Sequence, residues 1–135
     1  MSNTYQAWSR RNLVHNGLQD EQRHSFVQAD VFGFIERMRA ERARFDLIVL
    51  DPPSFSNSKR MAATFDVQRD QLRLLGATLD LLAPGGELFF STNRQGFRPD
   101  PGLAEIAQLE EISTRTIPED FKRYTPHRCW LLTRS

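Results

Sequence analysis

The chain has 135 residues, with 18 basic and 17 acidic side chains and a formal net charge of +1. That length supports one domain with a single core. The near balance of charge gives no global signature of a nucleic-acid binder, although basic patches can still form locally. The single cysteine, Cys129, excludes an internal disulfide and points to a reducing compartment. No apolar run approaches the roughly 20 residues of a membrane helix. The opening stretch MSNTYQAW lacks the charged-then-apolar pattern of a secretory signal. With no repeat and no low-complexity segment, the composition reads as a soluble, cytoplasmic globular domain.

The elements follow in chain order. Residues Thr4 to His15 read as a helix, capped by Ser2 or Thr4 and stopped at Asn16-Gly17. Tyr5 and Trp8 lie one turn apart on it. His24 to Gln28 reads as a strand. Asp30 then sits at a helix cap, ahead of Val31 to Glu41, with Val31, Ile35 and Met38 on one face. The run FDLIVL has no polar alternation after Asp46 and predicts a strand buried on both faces. Thr64 to Leu82 predicts a long helix, with Phe65, Leu72, Leu75, Leu79 and Leu82 at helical spacing and APGG as its stop. ELFFST predicts the next buried strand, PGLAEIAQ a short helix, and LEEISTRTI and HRCWLLTR the last two strands. Strands alternating with helices argue for an α/β fold with a parallel, doubly wound sheet. Such sheets bind ligands beyond the carboxyl ends of their strands. Asp30, the stretch Asp51 to Phe55, and Ser91 to Asn93 all follow strands and should meet on one rim.

The stretch Asp51-Pro52-Pro53 is the most distinctive of these. Two prolines fix two φ angles and remove two backbone donors. The residue before each proline is driven out of the helical region. A rigid turn with free carbonyls beside the Phe55 ring suits a flat heterocycle, because stacking on such a ring contributes roughly 1–3 kcal/mol. The plain alternative is a strand ended by prolines, with a capping aspartate and a core phenylalanine.

An aspartate or asparagine followed by Pro-Pro and an aromatic residue marks many S-adenosylmethionine-dependent methyltransferases of nucleic-acid bases. The longer run DPPSFSNSKRM…FDVQRD, with STNRQGFR, EDFKRYTPHRCWLLT and NLVHNGL, resembles one family across essentially the whole chain. These motifs resemble the C-terminal methyltransferase half of the bacterial bifunctional large-subunit ribosomal RNA methyltransferases, which makes N7-methylguanine. One departure is Ser54 directly after Pro-Pro, with the aromatic Phe55 one position later.

The resemblance implies a Rossmann-like class I methyltransferase fold, S-adenosylmethionine as cofactor and ribosomal RNA as partner. It implies Asp51, Pro52, Pro53 and Phe55 at the catalytic centre. Asp30 is expected to accept from the cofactor's adenine amino group, with the Val31 backbone at the ring edge. Asp51 and Pro52 are expected to border the methyl group. Lys59, Arg60, Arg69, Arg94 and Arg98 become candidate phosphate contacts, and Asn93 a base or cofactor contact. The plain readings are solvated surface for the cations, a helix cap for Asp30 and a turn residue for Asn93. Asp66 and Asp70 read as capping or helix-surface groups, and no residue is assigned to a metal.

The family's glycine-rich cofactor loop and the acidic residue after its second strand cannot be placed, since the chain has no G-x-G. The resemblance therefore reads residues 1–135 as the C-terminal portion of a single methyltransferase domain, lacking the first two strands and that loop. Such a fragment leaves the strand ending at Leu50 with an open edge. It is expected to bind cofactor weakly and to be inactive alone. It would self-associate as a homo-oligomer or pair with the missing N-terminal part of the same protein.

Two further activities stay open at this stage. One is cytosine-C5 methylation, which uses a cysteine nucleophile; Cys129 reads as core against that. The other is a non-catalytic RNA-binding fragment. His127 reads as a polar boundary residue, with a general base as the minority role.

Overall fold

The computed structural model describes residues 3–56, 64–121 and 126–134. The chain divides into two compact units, Met1–Arg37 and Met38–Ser135.

In the first unit, helix α1 spans Asn3–His15. It ends as Asn16-Gly17 predicts. Gly17 takes φ +64°, the amide of Leu18 reaches the carbonyl of Leu13 at 2.9 Å, and that of Gly17 reaches Val14 at 3.1 Å. Tyr5 and Trp8 meet edge to face, with ring centroids 5.7 Å apart, yet no residue of α1 is buried. Residues 24–30 form no strand, which corrects the sequence expectation. A strand exists only as a member of a ladder, and this segment has no ladder partner among the described residues. The carbonyl of Val27 accepts instead from the Gln6 side-chain amide at 3.1 Å. Asp30 does cap the next helix, α2 (Val31–Ala40), its Oδ2 accepting from the Gly33 amide at 3.0 Å.

The second unit is built on a four-stranded sheet. Its strands are β1 (Phe45–Leu50), β4 (Leu82–Thr92), β5 (Ala107–Glu111) and β6 (Arg128–Arg134), in the order β1-β4-β6-β5. β1 and β4 run parallel, as in a doubly wound sheet, while β6 lies antiparallel to both β4 and β5. Two short strands, β2 (Phe55–Ser56) and β3 (Phe65–Asp66), pair antiparallel beyond β1. Helix α3 covers Val67–Leu79, so the predicted long helix is shorter at both ends. The remaining elements are short: α4 (Leu103–Ile106), α5 (Ser113–Thr116) and a 3-10 turn at Glu119–Phe121. LEEISTRTI is thus a strand only as far as Glu111.

The APGG stretch does not stop a helix. It lies inside β4, where the strand slides past the start of β1. Gly85 takes φ +76°, and a Cβ on Gly86 would stand 3.0 Å from the carbonyl oxygens of Ala83 and Phe45. A side chain at Gly86 would push those carbonyls back by a few tenths of an ångström, and the β1–β4 register shifts between Phe45 and Leu47 at the same place.

Leu74, Leu75, Leu82, Leu88, Phe90 and Leu132 make the fully buried core. Phe90, Phe97 and Trp130 add a ring cluster with centroids 5.2–5.7 Å apart. β1 departs from its predicted burial. Leu47 is 58% and Val49 71% exposed. The strand pairs only with β4 among the described residues, so one face and one edge have no cover. Among those residues no helix is long and apolar enough to cross a membrane.

Candidate active site at the strand ends

Leu50 pairs with Phe90, so the turn after β1 and the end of β4 emerge side by side. Two short side-chain bonds lock them together. The Ser91 hydroxyl donates to Asp51 Oδ1 at 2.7 Å, and the Ser54 hydroxyl donates to Asn93 Oδ1 at 2.7 Å. The prolines between Asp51 and Ser54 already fix the backbone, so both ends of a stiff turn are pinned.

The turn is also tied to α3. Phe55 pairs with Asp66 across β2 and β3, and the Val67 amide donates to the Ser54 carbonyl at 3.2 Å. Phe55 is 54% exposed. Asp66 caps α3 by accepting from the amides of Gln68 at 2.8 Å and Arg69 at 3.2 Å. Asp70 reaches back to the Asp66 amide at 2.9 Å, a reciprocal cap. Both carboxylates therefore act as the sequence suggests.

The cations divide into two groups. Arg94 holds both Asp66 oxygens at 3.0 Å. Arg69 holds Asp70 at 2.7 Å and also donates to the Thr64 carbonyl. These two expected phosphate contacts are thus internally paired, and a phosphate would have to compete with a carboxylate for each. Arg98 is exposed, and its guanidinium has no partner among the described residues. Lys59 and Arg60 lie outside the described residues.

Burial works against ionisation of Asp66, but the Arg69 and Gln68 amides and the Arg94 guanidinium hold its carboxyl below the usual range. Arg69 does the same for Asp70, against a burial cost.

Cys129 pairs with Ser91 across β4 and β6 and is buried. Burial pushes its thiol up, and the Asp51 carboxylate adds to this, while the Thr116 hydroxyl opposes it. The uncharged thiol is therefore favoured. His127 Nε2 lies 3.0 Å from Thr116 Oγ1, which places the ring beside the same end of the sheet. Behind it, Arg128 grips Glu111 at 2.6 and 2.9 Å and lies 4.7 Å over the Trp130 ring.

The sequence reading missed the buttress under this rim. Gln71, fully buried within α3, donates to the Arg98 carbonyl at 3.1 Å and accepts from the Asp100 amide at 2.9 Å. Gln68 bonds the Arg98 amide and carbonyl at 2.9 and 2.8 Å. A pair of glutamines three residues apart on an otherwise apolar helix face was the available signal.

The sequence profile of the S-adenosylmethionine-dependent methyltransferases matches residues 1–121. The chain belongs to that family. It is 46% identical over 130 residues to ribosomal RNA large subunit methyltransferase K of Neisseria meningitidis, covering 96% of this chain and 36% of that protein. It is 48% identical over 131 residues to ribosomal RNA large subunit methyltransferase K/L of Methylococcus capsulatus, covering 96% of this chain and 18% of that protein. The chain therefore spans about a third or less of the length of these curated relatives.

Two solved structures share the fold. SMU.776, complexed with SAH, superposes with a TM-score of 0.74 at 21% identity, covering 97% of this chain and 37% of that one. The SAM-dependent methyltransferase from Agrobacterium tumefaciens gives 0.67 at 18% identity, covering 99% and 47%. Asp51 keeps Oδ2 beyond its bond to Ser91.

Proposed function

We propose that the full-length protein methylates N7 of a guanine in large-subunit ribosomal RNA. The pinned turn from Asp51 to Phe55 carries this reading, supported by relatives that are named for large-subunit ribosomal RNA. When bound, S-adenosylmethionine supplies an electrophilic methyl group on a sulfonium centre. Guanine N7 has an in-plane lone pair and no proton, so its attack needs no general base. Catalysis then consists of holding the reacting atoms at near-attack distance, roughly 3–3.5 Å. A turn fixed by two prolines and two cross-strand bonds is suited to that task.

In this reading the turn after Leu50 faces the cofactor. Asp51 and Pro52 border its methyl-bearing end, and Pro53 keeps the turn stiff. Phe55 stacks on the target base. Arg98, with Lys59 and Arg60, neutralises RNA phosphates. Arg94 and Arg69 brace the carboxylates that cap α3. A buried, uncharged Cys129 is poorly suited to nucleophilic attack on cytosine.

The test is incubation of the full-length protein with S-adenosylmethionine and a large-subunit ribosomal RNA transcript, followed by nucleoside mass spectrometry. N7-methylguanosine is expected, and Asp51→Ala should lower its yield about 100-fold or more in a folded protein. Formation of 5-methylcytidine would overturn the reading. Activity of Asp51→Ala within a few-fold of wild type would remove Asp51 from the site.

A further inference from the structure

We propose that Asn93 selects guanine by donating an amide N–H to O6 of the target base, and that Ser54 orients it for this. The proposal rests on the guanine-N7 reading above. The Ser54 hydroxyl, 2.7 Å from Asn93 Oδ1, donates to it. In this arrangement the amide oxygen faces Ser54 and takes its proton. The other end, Nδ2, carries two donors. Asn93 is exposed, and its Nδ2 has no partner among the described residues. Ser54 is itself fixed from behind through its carbonyl, which accepts from the Val67 amide at 3.2 Å. The amide is thus pre-oriented on a rigid support, two residues beyond the Ser91 that holds Asp51.

The chemistry of the purine edge supplies the second half. Guanine presents N7 and O6 there, both acceptors, whereas adenine presents N7 and a donating amino group. N7 must keep its lone pair for the methyl group. Only the group on C6 is left to be read, and reading guanine there requires a donor. Arg94 is committed to Asp66 at 3.0 Å. Asn93 supplies a donor that carries no charge, so it adds no repulsion beside a sulfonium. Adenine would set its amino group against the Asn93 amino group, donor facing donor, and leave both unpaired.

The experiment uses the full-length protein and a short RNA carrying the nucleotide that wild type methylates. That nucleotide is guanosine, inosine or 2-aminopurine riboside. Inosine keeps O6 and lacks the exocyclic amine; 2-aminopurine keeps the amine and lacks O6. Wild type should methylate guanosine and inosine at similar kcat/KM and 2-aminopurine at least about tenfold more slowly. Asn93→Ala and the isosteric Asn93→Asp should both collapse the guanosine to 2-aminopurine ratio towards one. Ser54→Ala should lower it by less, because the donor remains but is no longer oriented. Asn93→Asp, which preserves shape, keeps the test decisive if the alanine variant fails to fold. A wild-type ratio retained in Asn93→Asp would overturn the proposal while leaving the N7 reading intact. A wild-type product other than N7-methylguanosine would overturn both.

Discussion

Helices α1 and α3 are both 13 residues long, yet they are held by different means. α3 buries Val67, Gln71, Leu74, Leu75, Thr78 and Leu79, and its first turn is closed by two aspartates. α1 buries nothing, has no acidic residue in its first turn, and leaves Tyr5, Trp8 and Val14 in solvent. Helices of this length are marginal alone in water, and packing of an apolar face supplies most of their stability. The contrast separates a helix whose apolar face the core covers from one held by contacts such as those of Gln6 with the Val27 carbonyl and Arg10 with the Phe26 ring. It also shows why the candidate site is attached to α3. A rim that must position atoms needs a support that does not fray.

The largest effect should come from the core of the supported helix. In the 135-residue chain, Leu75→Ala should cost about 2–5 kcal/mol by urea unfolding. Trp8→Ala, despite removing a larger side chain, should cost no more than about 0.5 kcal/mol. Equal losses would mean that α1 is packed as firmly as α3, and the contrast would fail.

A smaller effect separates the helix starts. Asp66→Ala removes the acceptor for two amides and the partner of Arg94, and should cost about 1 kcal/mol. The pH dependence carries the same information. Asp66 and Asp70 are held below the usual carboxylate range in the folded state. Their contribution is therefore fully present above the ordinary value, about 4, and is lost as pH falls through the lowered values. Protection of the amides at the start of α3, taken relative to their intrinsic exchange rates, should fall on acidification below about pH 4, and Asp66→Asn should flatten that response. α1, with no acidic residue in its first turn, should show no matching acid limb.

The smallest effect concerns helix ends. α1 and α2 close with the same hydrogen-bond pattern. Leu18 reaches back to Leu13 at 2.9 Å, and Ala43 reaches back to Met38 at 2.9 Å. The left-handed position is glycine in the first, Gly17 at φ +64°, but arginine in the second, Arg42 at φ +57°. A side chain there costs about 1–2 kcal/mol, part of which glycine returns as entropy of the unfolded chain. Arg42→Gly should raise stability by about 0.5–1 kcal/mol in the same urea assay, whereas Gly17→Ala should lower it.

The sequence by itself determined what a few neighbouring residues can enforce. Asn16-Gly17 stops α1, Asp30 caps α2, and two prolines stiffen the turn after Leu50. Each acts through dihedral limits or bonds within one turn, so each is legible without a partner. The motif run around DPPSF also identified the methyltransferase family. Only the tertiary structure decided which groups meet across long separations. Asp51 and Ser91 are 40 residues apart and Ser54 and Asn93 are 39 apart, and nothing local in either segment specifies the match. The same holds for Arg94 on Asp66, 28 residues away, a pairing that no local pattern announces. Strand direction and burial were equally beyond local reading. β6 runs antiparallel because of where the chain re-enters the sheet. His24 to Gln28 forms no strand, and Val49 stays exposed, because a ladder or a covered face requires a second surface that a hydrophobic run cannot supply for itself.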